Sequence, residues 1–527
     1  MATYYSPKNL FGYSVDLNNQ MQSFQQVLNL GSKLIELSLS SIYSRSGGNT
    51  AENTGKSHIY NIGTEAYLSG VNLTVHAPFQ LDLTNLEPLI ESSGKASLEM
   101  YRDILMKEGT ASIKWADELA SAANQEKTSV VFHASTAPFS KKDNNASFLY
   151  DKFNNQLIPI YADKYKFLMS KEEFDKAYPE VSSKLKQLNL YDKTIIQSND
   201  GIILNPETAE VWFPLIYKEM IKKKLAELKL NALQLQNSKP DLNQPQLGII
   251  GQKGYIFSGE DINYFEKELT ENINTLEELE KNVDKYIVPI DKVAEENLAR
   301  NLAELALYSF TQTKTHPQVL VENPTHPEFL LYNPEEIAKS IDEARKIFVE
   351  EATKKGIPKS EAEKAAKDLI ALNLDIGHLN LLKSIINPKT GKNYTDEDLI
   401  QIAVNVKDYI AKYHIADNLG YTDAHLPVGE GNAPIKEIYE KLKSLGVEAP
   451  AILEVFGKEG IVTGAQMSQD YVNKLMGVPG FPEINPLPYG EYKVTAINES
   501  TYSQYTYPFV LGLLPQEPSI SYYLPPF

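Results

Sequence analysis

The sequence predicts a (β/α)8 barrel with a large, mainly helical insertion after the fourth strand and an extended C-terminal tail. Three observations carry that reading. Eight short apolar runs rich in β-branched residues recur along the 527-residue chain. Helical periodicity fills the spaces between them, the alternation expected of a parallel sheet closed on itself. One spacing, from His133 to Glu322, is far longer than the single loop and helix that join neighbouring strands.

The first run is LFGYSVDL from Leu10, followed by the helical pattern LNNQMQSFQQVLNLGSK. KLIELSLS from Lys33 and VNLTVH from Val71 come next. The helical stretch SLEMYRDILMKEGTASIKWADELASAAN leads into SVVFH from Ser129, and DKVAEENLARNLAELALYSFTQ leads into QVLVEN from Gln318. PEEIAKSIDEARKIFVEEATKKG follows, with Pro334 placed at a helix start. LNLDIGH from Leu372 is the sixth run, and DEDLIQIAVNVKDYIAKY leads to YHIADN from Tyr413. APIKEIYEKLKSLG, closed by Gly446 as a C-cap, leads to AILEVF from Ala451. Most runs are nearly continuous in apolar character, as strands buried on both faces require.

The long spacing defines an insertion over 141–290. It carries its own helical patterns, SKEEFDKAYPEVSSKLKQL and PLIYKEMIKKKLAELKLNALQLQ, and a polar hinge, NSKPDLNQPQ. The barrel is then split into 1–140 and 291–480, and the Pro- and Tyr-rich stretch 481–527 forms the tail. An insertion leaving after the fourth strand lies on the C-terminal face, where barrel active sites lie. It reads as a lid, a partner-binding element or a stabilising decoration. The insertion and the tail are the candidates for protein contacts.

Hydrophobic residues make up 42 % of the chain, enough for a large core. A formal charge of −18 disfavours general coating of nucleic acid, though not one local basic cleft. With no cysteine, disulfides, zinc-thiolate sites and thiol nucleophiles are excluded, so any metal is held by His, Asp and Glu. The N-terminus lacks the pattern of a secretory signal, and no apolar stretch approaches the ~18 residues of a membrane span. A cytoplasmic protein with no membrane association is the expectation.

The placement of the eight histidines is informative. His76 ends the third run, His133 ends the fourth, His378 follows the sixth by a turn, His414 lies in the seventh and His425 follows it. Carboxylates occupy the remaining ends: Glu322 on the fifth, Asp375 on the sixth, Glu454 on the eighth and Asp423 beside His425. In a parallel barrel these ends converge on one mouth. Imidazole and carboxylate together suit zinc, manganese or iron(II). A lone histidine at a strand end is more often structural; the whole set in register is the signal. His58, His316 and His326 lie in loops without a partner pattern and read as surface residues. Gly429-Glu430-Gly431 has no following Lys-Ser/Thr, so it shapes the turn towards a helix at Ala433-Pro434 instead of cradling phosphate.

The motifs HAPF, FHAS, VENP, DIGH, HIAD, DAHLPVGEGN and ILEV resemble those of the xylose isomerase-like TIM barrel superfamily (AP endonuclease family 2). The metal-ligand pattern is most similar to its endonuclease IV branch. The resemblance covers roughly 10–140 and 290–475. It implies up to three zinc ions, with manganese or another divalent metal as the alternative. His76, His133 and Glu322 would hold the first. Glu322 would bridge to a second held by Asp375, His414 and Glu454, and His378, Asp423 and His425 would hold the third. It implies hydrolysis of a phosphodiester, in abasic-site DNA or another phosphoester, by a bridging hydroxide attacking phosphorus, with Glu454 and Glu322 as the catalytic carboxylates. Sugar or sugar-phosphate isomerases and epimerases of the same superfamily are similar at Glu322, Asp375, His414 and Glu454 and use one divalent ion, with the two glutamates shuttling a proton. A third reading is a non-catalytic barrel repurposed for binding or assembly. Phe79 stands where a DNA-working relative carries tyrosine, and KEMIKKKLAELK, the best basic run, reads as a solvated helix face.

Overall fold

The computed structural model describes residues 11–15, 20–29, 32–41, 50–52, 54–86, 95–139, 146–237, 246–250, 253–257 and 259–455. The expected tail 481–527, the last part of the expected barrel segment, 456–480, and most of the expected hinge lie outside the described residues.

Eight parallel strands close into a barrel: β1 (Phe11–Val15), β2 (Leu34–Ser38), β3 (Asn72–His76), β4 (Ser129–His133), β5 (Gln318–Glu322), β6 (Ile370–Asp375), β7 (Ile410–Ile415) and β8 (Ala451–Leu453). Each pairs with its neighbours in sequence order, and β8 returns to β1 with Gly12 opposite Ile452. Gly12 is required there, because a Cβ at this position would sit 2.1 Å from the Leu34 carbonyl oxygen.

Alternation along the strands separates two apolar layers. Leu73 and Val75, Val130 and Phe132, Val319 and Val321, and Leu372 and Leu374 join one large core. That core includes Phe24 of α1 (Gln20–Asn29), Ile62 of α2 (Lys56–Ser69), Trp115 of α3 (Lys95–Ala122) and Leu302 of α4 (Ile290–Gln312). Ile341 of α5 (Pro334–Lys354), Ala366 of α6 (Lys359–Leu369), Leu399 of α7 (Asp396–Asn405) and Ile438 of α8 (Ile435–Ser444) complete it. The opposite phase points into the barrel, where Val131, Leu320 and Ala371 form a separate small cluster with Ala411 against it. Two residues further along the inward phase of β4 and β5 stand His133 and Glu322. The apolar plug therefore forms the floor under the polar strand ends.

A bulge adjusts this pattern on β7. Leu372 pairs with Ile410 but Asn373 pairs with Lys412, so Ala411 is an extra residue. Ala411 packs inside the barrel, and so does Lys412, which reaches Glu36 of β2 and Thr74 of β3. The bulge thus moves Lys412 and His414 onto the inward phase, a re-aiming that bulges beside functional sites commonly perform.

Local signals set several helix starts. Pro334 occupies the first turn of α5, and the Asn333 side chain accepts from the Glu335 amide. Thr395 and Asp398 form a capping box at α7. The inserted region after β4 holds helices such as Lys171–Ala177, Pro179–Gln187 and Ala209–Asn237. Small antiparallel sheets accompany them: one of Ala146–Asp151, Gln156–Tyr161 and Ile287–Pro289, and one of Lys166–Phe167, Ile195–Ser198 and Gly201–Leu204. The chain divides into two compact units, 1–222 with 279–477, which contains the barrel, and 223–278 with 478–527. In the second unit the described residues include a hairpin of Gln246–Ile250 with Lys253–Phe257. No helix among the described residues is long and apolar enough to cross a membrane.

Candidate metal centre

Because all eight barrel strands are parallel, their C-terminal ends open at one mouth. His76, His133, Glu322 and Asp375 are the last residues of β3, β4, β5 and β6, His414 lies in β7, and Glu454 follows β8. The structure brings all nine sequence-predicted residues into four groups, three of them sharing members, and within each group the ligand atoms lie within 4.8 Å of one another. These are His76, His133 and Glu322; Glu322, Asp375, His414 and Glu454; His378, Asp423 and His425; and His76, His414 and Glu454. Glu322, wholly buried, is shared between two of them.

Hydrogen bonds fix which nitrogen each ring presents. His76 Nδ1 lies 2.7 Å from the Ala77 carbonyl, His378 Nδ1 2.9 Å from the Asn323 carbonyl and His425 Nδ1 2.8 Å from the Glu454 carbonyl. A carbonyl only accepts, so Nδ1 donates in each case, and in the neutral ring the lone pair is on Nε2. Those Nε2 atoms face the carboxylates: His76 towards Glu322 at 3.3 Å, His378 and His425 towards Asp423 at 3.2 and 2.9 Å. Asn323, beside Glu322, also exchanges two hydrogen bonds with the Asp375 backbone, tying β5 to the turn that carries His378.

His414 is reversed. Its Nδ1 faces Glu322 at 3.1 Å and Glu454 at 3.3 Å. Its Nε2 approaches Glu36 Oε1 at 2.9 Å, a charge contact without hydrogen-bond alignment.

The segment after β7 is shaped by Asp417, buried to 2 % exposure. Its carboxylate accepts from the amides of Asn418, Gly429 and Ala433, closing the loop over itself. Gly431 lies so close that a Cβ would meet Asp417 Oδ1 at 2.2 Å. The Gly429-Glu430-Gly431 segment is therefore a loop closure, and α8 begins just beyond it at Ile435. Inside this loop His425 takes φ 46°, a left-handed conformation rarely adopted by residues other than glycine and costing ~1 kcal/mol or more.

The electrostatics follow from burial and crowding. Burial raises the Asp375 carboxyl; His378 opposes this and Glu322, Glu454 and Asp423 reinforce it, leaving it at about 7. Burial works against charge on His425, but Asp423 overrides it and pushes the imidazole up to about 9. Burial pushes His133 down to about 3. Glu322 is held well below the usual range despite burial, by His414 and His76, and Asp423 likewise by His425 and His378. Asp375 Oδ2 and Asp423 Oδ1 are buried without any hydrogen-bond partner. Unpaired carboxylate oxygens facing imidazole lone pairs fit a hard or borderline divalent cation, which satisfies them without a proton.

Two charged residues beside the centre are not singled out by the sequence: Glu36 and Lys412, both fully buried inside the barrel. Their signal was a charge within an otherwise apolar strand, LIELS and IAKYHI. His316 and His326 take no part in these groups. His58 is not a free surface residue: it is half-buried, and its Nε2 meets Gln20 Oε1 at 2.9 Å.

Residues 359–475 match the family model described as Xylose isomerase-like TIM barrel. The matched stretch carries Asp375, His378, His414, Asp423, His425 and Glu454; His76, His133 and Glu322 precede it. An uncharacterized protein of Methanocaldococcus jannaschii is 30 % identical over 121 residues, 22 % of this chain, and the match spans 38 % of that relative's length. Among solved structures, a D-tagatose 3-epimerase-like protein aligns with TM-score 0.42 and 14 % identity, over 88 % of this chain and 97 % of that one. An IOLI protein with a binding zinc atom aligns with TM-score 0.39 and 9 % identity, over 89 % and 98 %.

Proposed function

We propose that this xylose isomerase-like barrel is a divalent-metal-dependent enzyme, binding up to three zinc or manganese ions and hydrolysing a phosphoester of a sugar-bearing substrate. The observation that carries the reading is the third group, His378, Asp423 and His425, which one-metal sugar chemistry does not need. Bound cations supply Lewis acidity and a nucleophilic water at neutral pH. The protein's own residues do the rest. Glu322 and Asp375, both at 0 % exposure, present fixed carboxyl oxygens, of which Asp375 gives up a proton when a cation binds. Glu454, its side chain 13 % exposed, stands at the rim where a carboxylate can orient a water and take its proton. Phe79, 36 % exposed and three residues after His76, offers an apolar face beside the mouth. Abasic-site DNA is one test substrate among phosphoesters and has no support from the relatives' names.

The family description favours a second reading, a sugar isomerase or epimerase. Glu322, Asp375, His414 and Glu454 form a compact group sufficient for one cation, and the two glutamates would exchange a proton with the carbon next to a carbonyl. Metal-loaded protein should be assayed on bis(p-nitrophenyl) phosphate, sugar phosphates, an abasic-site oligonucleotide and free ketoses. Phosphoester hydrolysis that disappears in Asp423→Ala with His425→Ala supports the first reading. Ketose interconversion that survives the same double substitution replaces it with the second.

A further inference from the structure

We infer that Glu36, backed by Lys412 and Thr74, is a positioning residue that holds His414 with Nδ1 towards the metal group and strengthens it as a ligand. This rests on the metal-binding reading above and holds for either reaction. Three other imidazoles of the centre are oriented by backbone carbonyls at their Nδ1 atoms. Those three sit at strand ends or in loops, where carbonyls are free of the sheet. His414 lies within β7, paired on both sides, with Asp375 opposite it on β6 and Ile452 on β8. Strand carbonyls there are engaged in the ladder, so only a side chain can take the far nitrogen.

Glu36 is the side chain that reaches it, as a charge contact. Both it and His414 are at 0 % exposure, and Glu36 Oε1 lies 2.9 Å from His414 Nε2. Its other oxygen accepts from Thr74 Oγ1 at 3.0 Å and from Lys412 Nζ. Lys412 in turn reaches Thr74 Oγ1 at 3.2 Å. A carboxylate buried so deeply needs a countercharge, and Lys412, delivered inward by the β7 bulge, supplies it. An anionic partner behind an imidazole raises its basicity more than a carbonyl does, and losing such a partner typically weakens metal affinity about 10–100-fold. His414 is thereby strengthened as a donor in the group that also contains Glu322, Asp375 and Glu454.

The test is titration of Zn²⁺ alone into chelator-stripped protein against a chromophoric competitor. Glu36→Gln is combined with Lys412→Met so that neither charge is left buried alone. The expected result is a loss of about 10–100-fold in affinity for one ion, with the remaining ions bound as in wild type. Should the double variant not fold, Glu36→Asp keeps the charge but shortens its reach, and a weakening of the same single ion is expected. Affinities within about twofold of wild type for every ion in a folded variant overturn the inference while leaving the metal reading intact. A wild-type protein that binds no Zn²⁺ overturns both.

Discussion

Replacing Asp423 with asparagine keeps its shape and removes its charge. The carboxylate stands 2.9 Å from His425 Nε2 and 3.2 Å from His378 Nε2, with its own side chain 19 % exposed and that of His425 18 % exposed. His425 is raised to about 9 in the folded protein, mainly by Asp423 against the opposing effect of burial. An unfolded histidine titrates near ~6.5. A folded pKa raised above the unfolded one gives stability that is full below ~6.5 and is lost as pH rises through about 9. A shift of ~2.5 units corresponds to ~3 kcal/mol at pH ~6, ~2 kcal/mol at pH ~7.5 and almost nothing above pH ~10. Urea unfolding of metal-stripped wild type and Asp423→Asn, followed by the fluorescence of Trp115 in the barrel core and Trp212 in the inserted region, measures the difference. The gap between the two proteins should shrink steadily from pH 6 to pH 10. A gap that is flat across that range, or that widens, refutes the assignment of this ion pair.

Three further outcomes follow from the same geometry. Gly431→Ala forces a Cβ against Asp417 Oδ1 and the Asn418 carbonyl, so the loop carrying Asp423 and His425 should shift; metal titration is expected to show one ion bound more weakly, and unchanged binding would count against the loop's role. Lys412→Met alone leaves Glu36 buried without its cation and should destabilise the fold by ~3–5 kcal/mol in chemical unfolding, whereas a neutral effect would show the pair to be dispensable. Metal binding must displace protons from Asp375 at about 7 and His425 at about 9, so calorimetry should find affinity rising with pH between these values and proton release below them; a pH-independent affinity contradicts the ligand set.

The barrel was legible because strands buried on both faces leave continuous apolar runs, and because parallel closure sends every strand end to the same mouth. QVLVEN and SVVFH announced both the strand and its functional terminus in a few residues. Glu36 and Lys412 leave no signal at the strand ends, because both lie within strands. The inward aim of Lys412 depends on the bulge at Ala411, which is a property of the register between β6 and β7 and leaves no mark in the β7 sequence alone. Asp417 belongs to HIAD, a motif that carries the resemblance, but its task is to close the loop through three backbone amides up to 16 positions away from it. The small sheets of the inserted region were missed because strands of two to six residues, partly exposed, carry no periodicity long enough to read.

The central claim is a multinuclear metal centre at the mouth of the barrel, and metal content is its most direct measure. Protein purified without chelator, reconstituted with Zn²⁺ and freed of excess, should contain about three ions per chain by elemental analysis, falling to about two when Asp423 and His425 are both replaced by alanine. A single ion per chain, unchanged by that double substitution, contradicts the account and assigns the barrel to one-metal sugar chemistry.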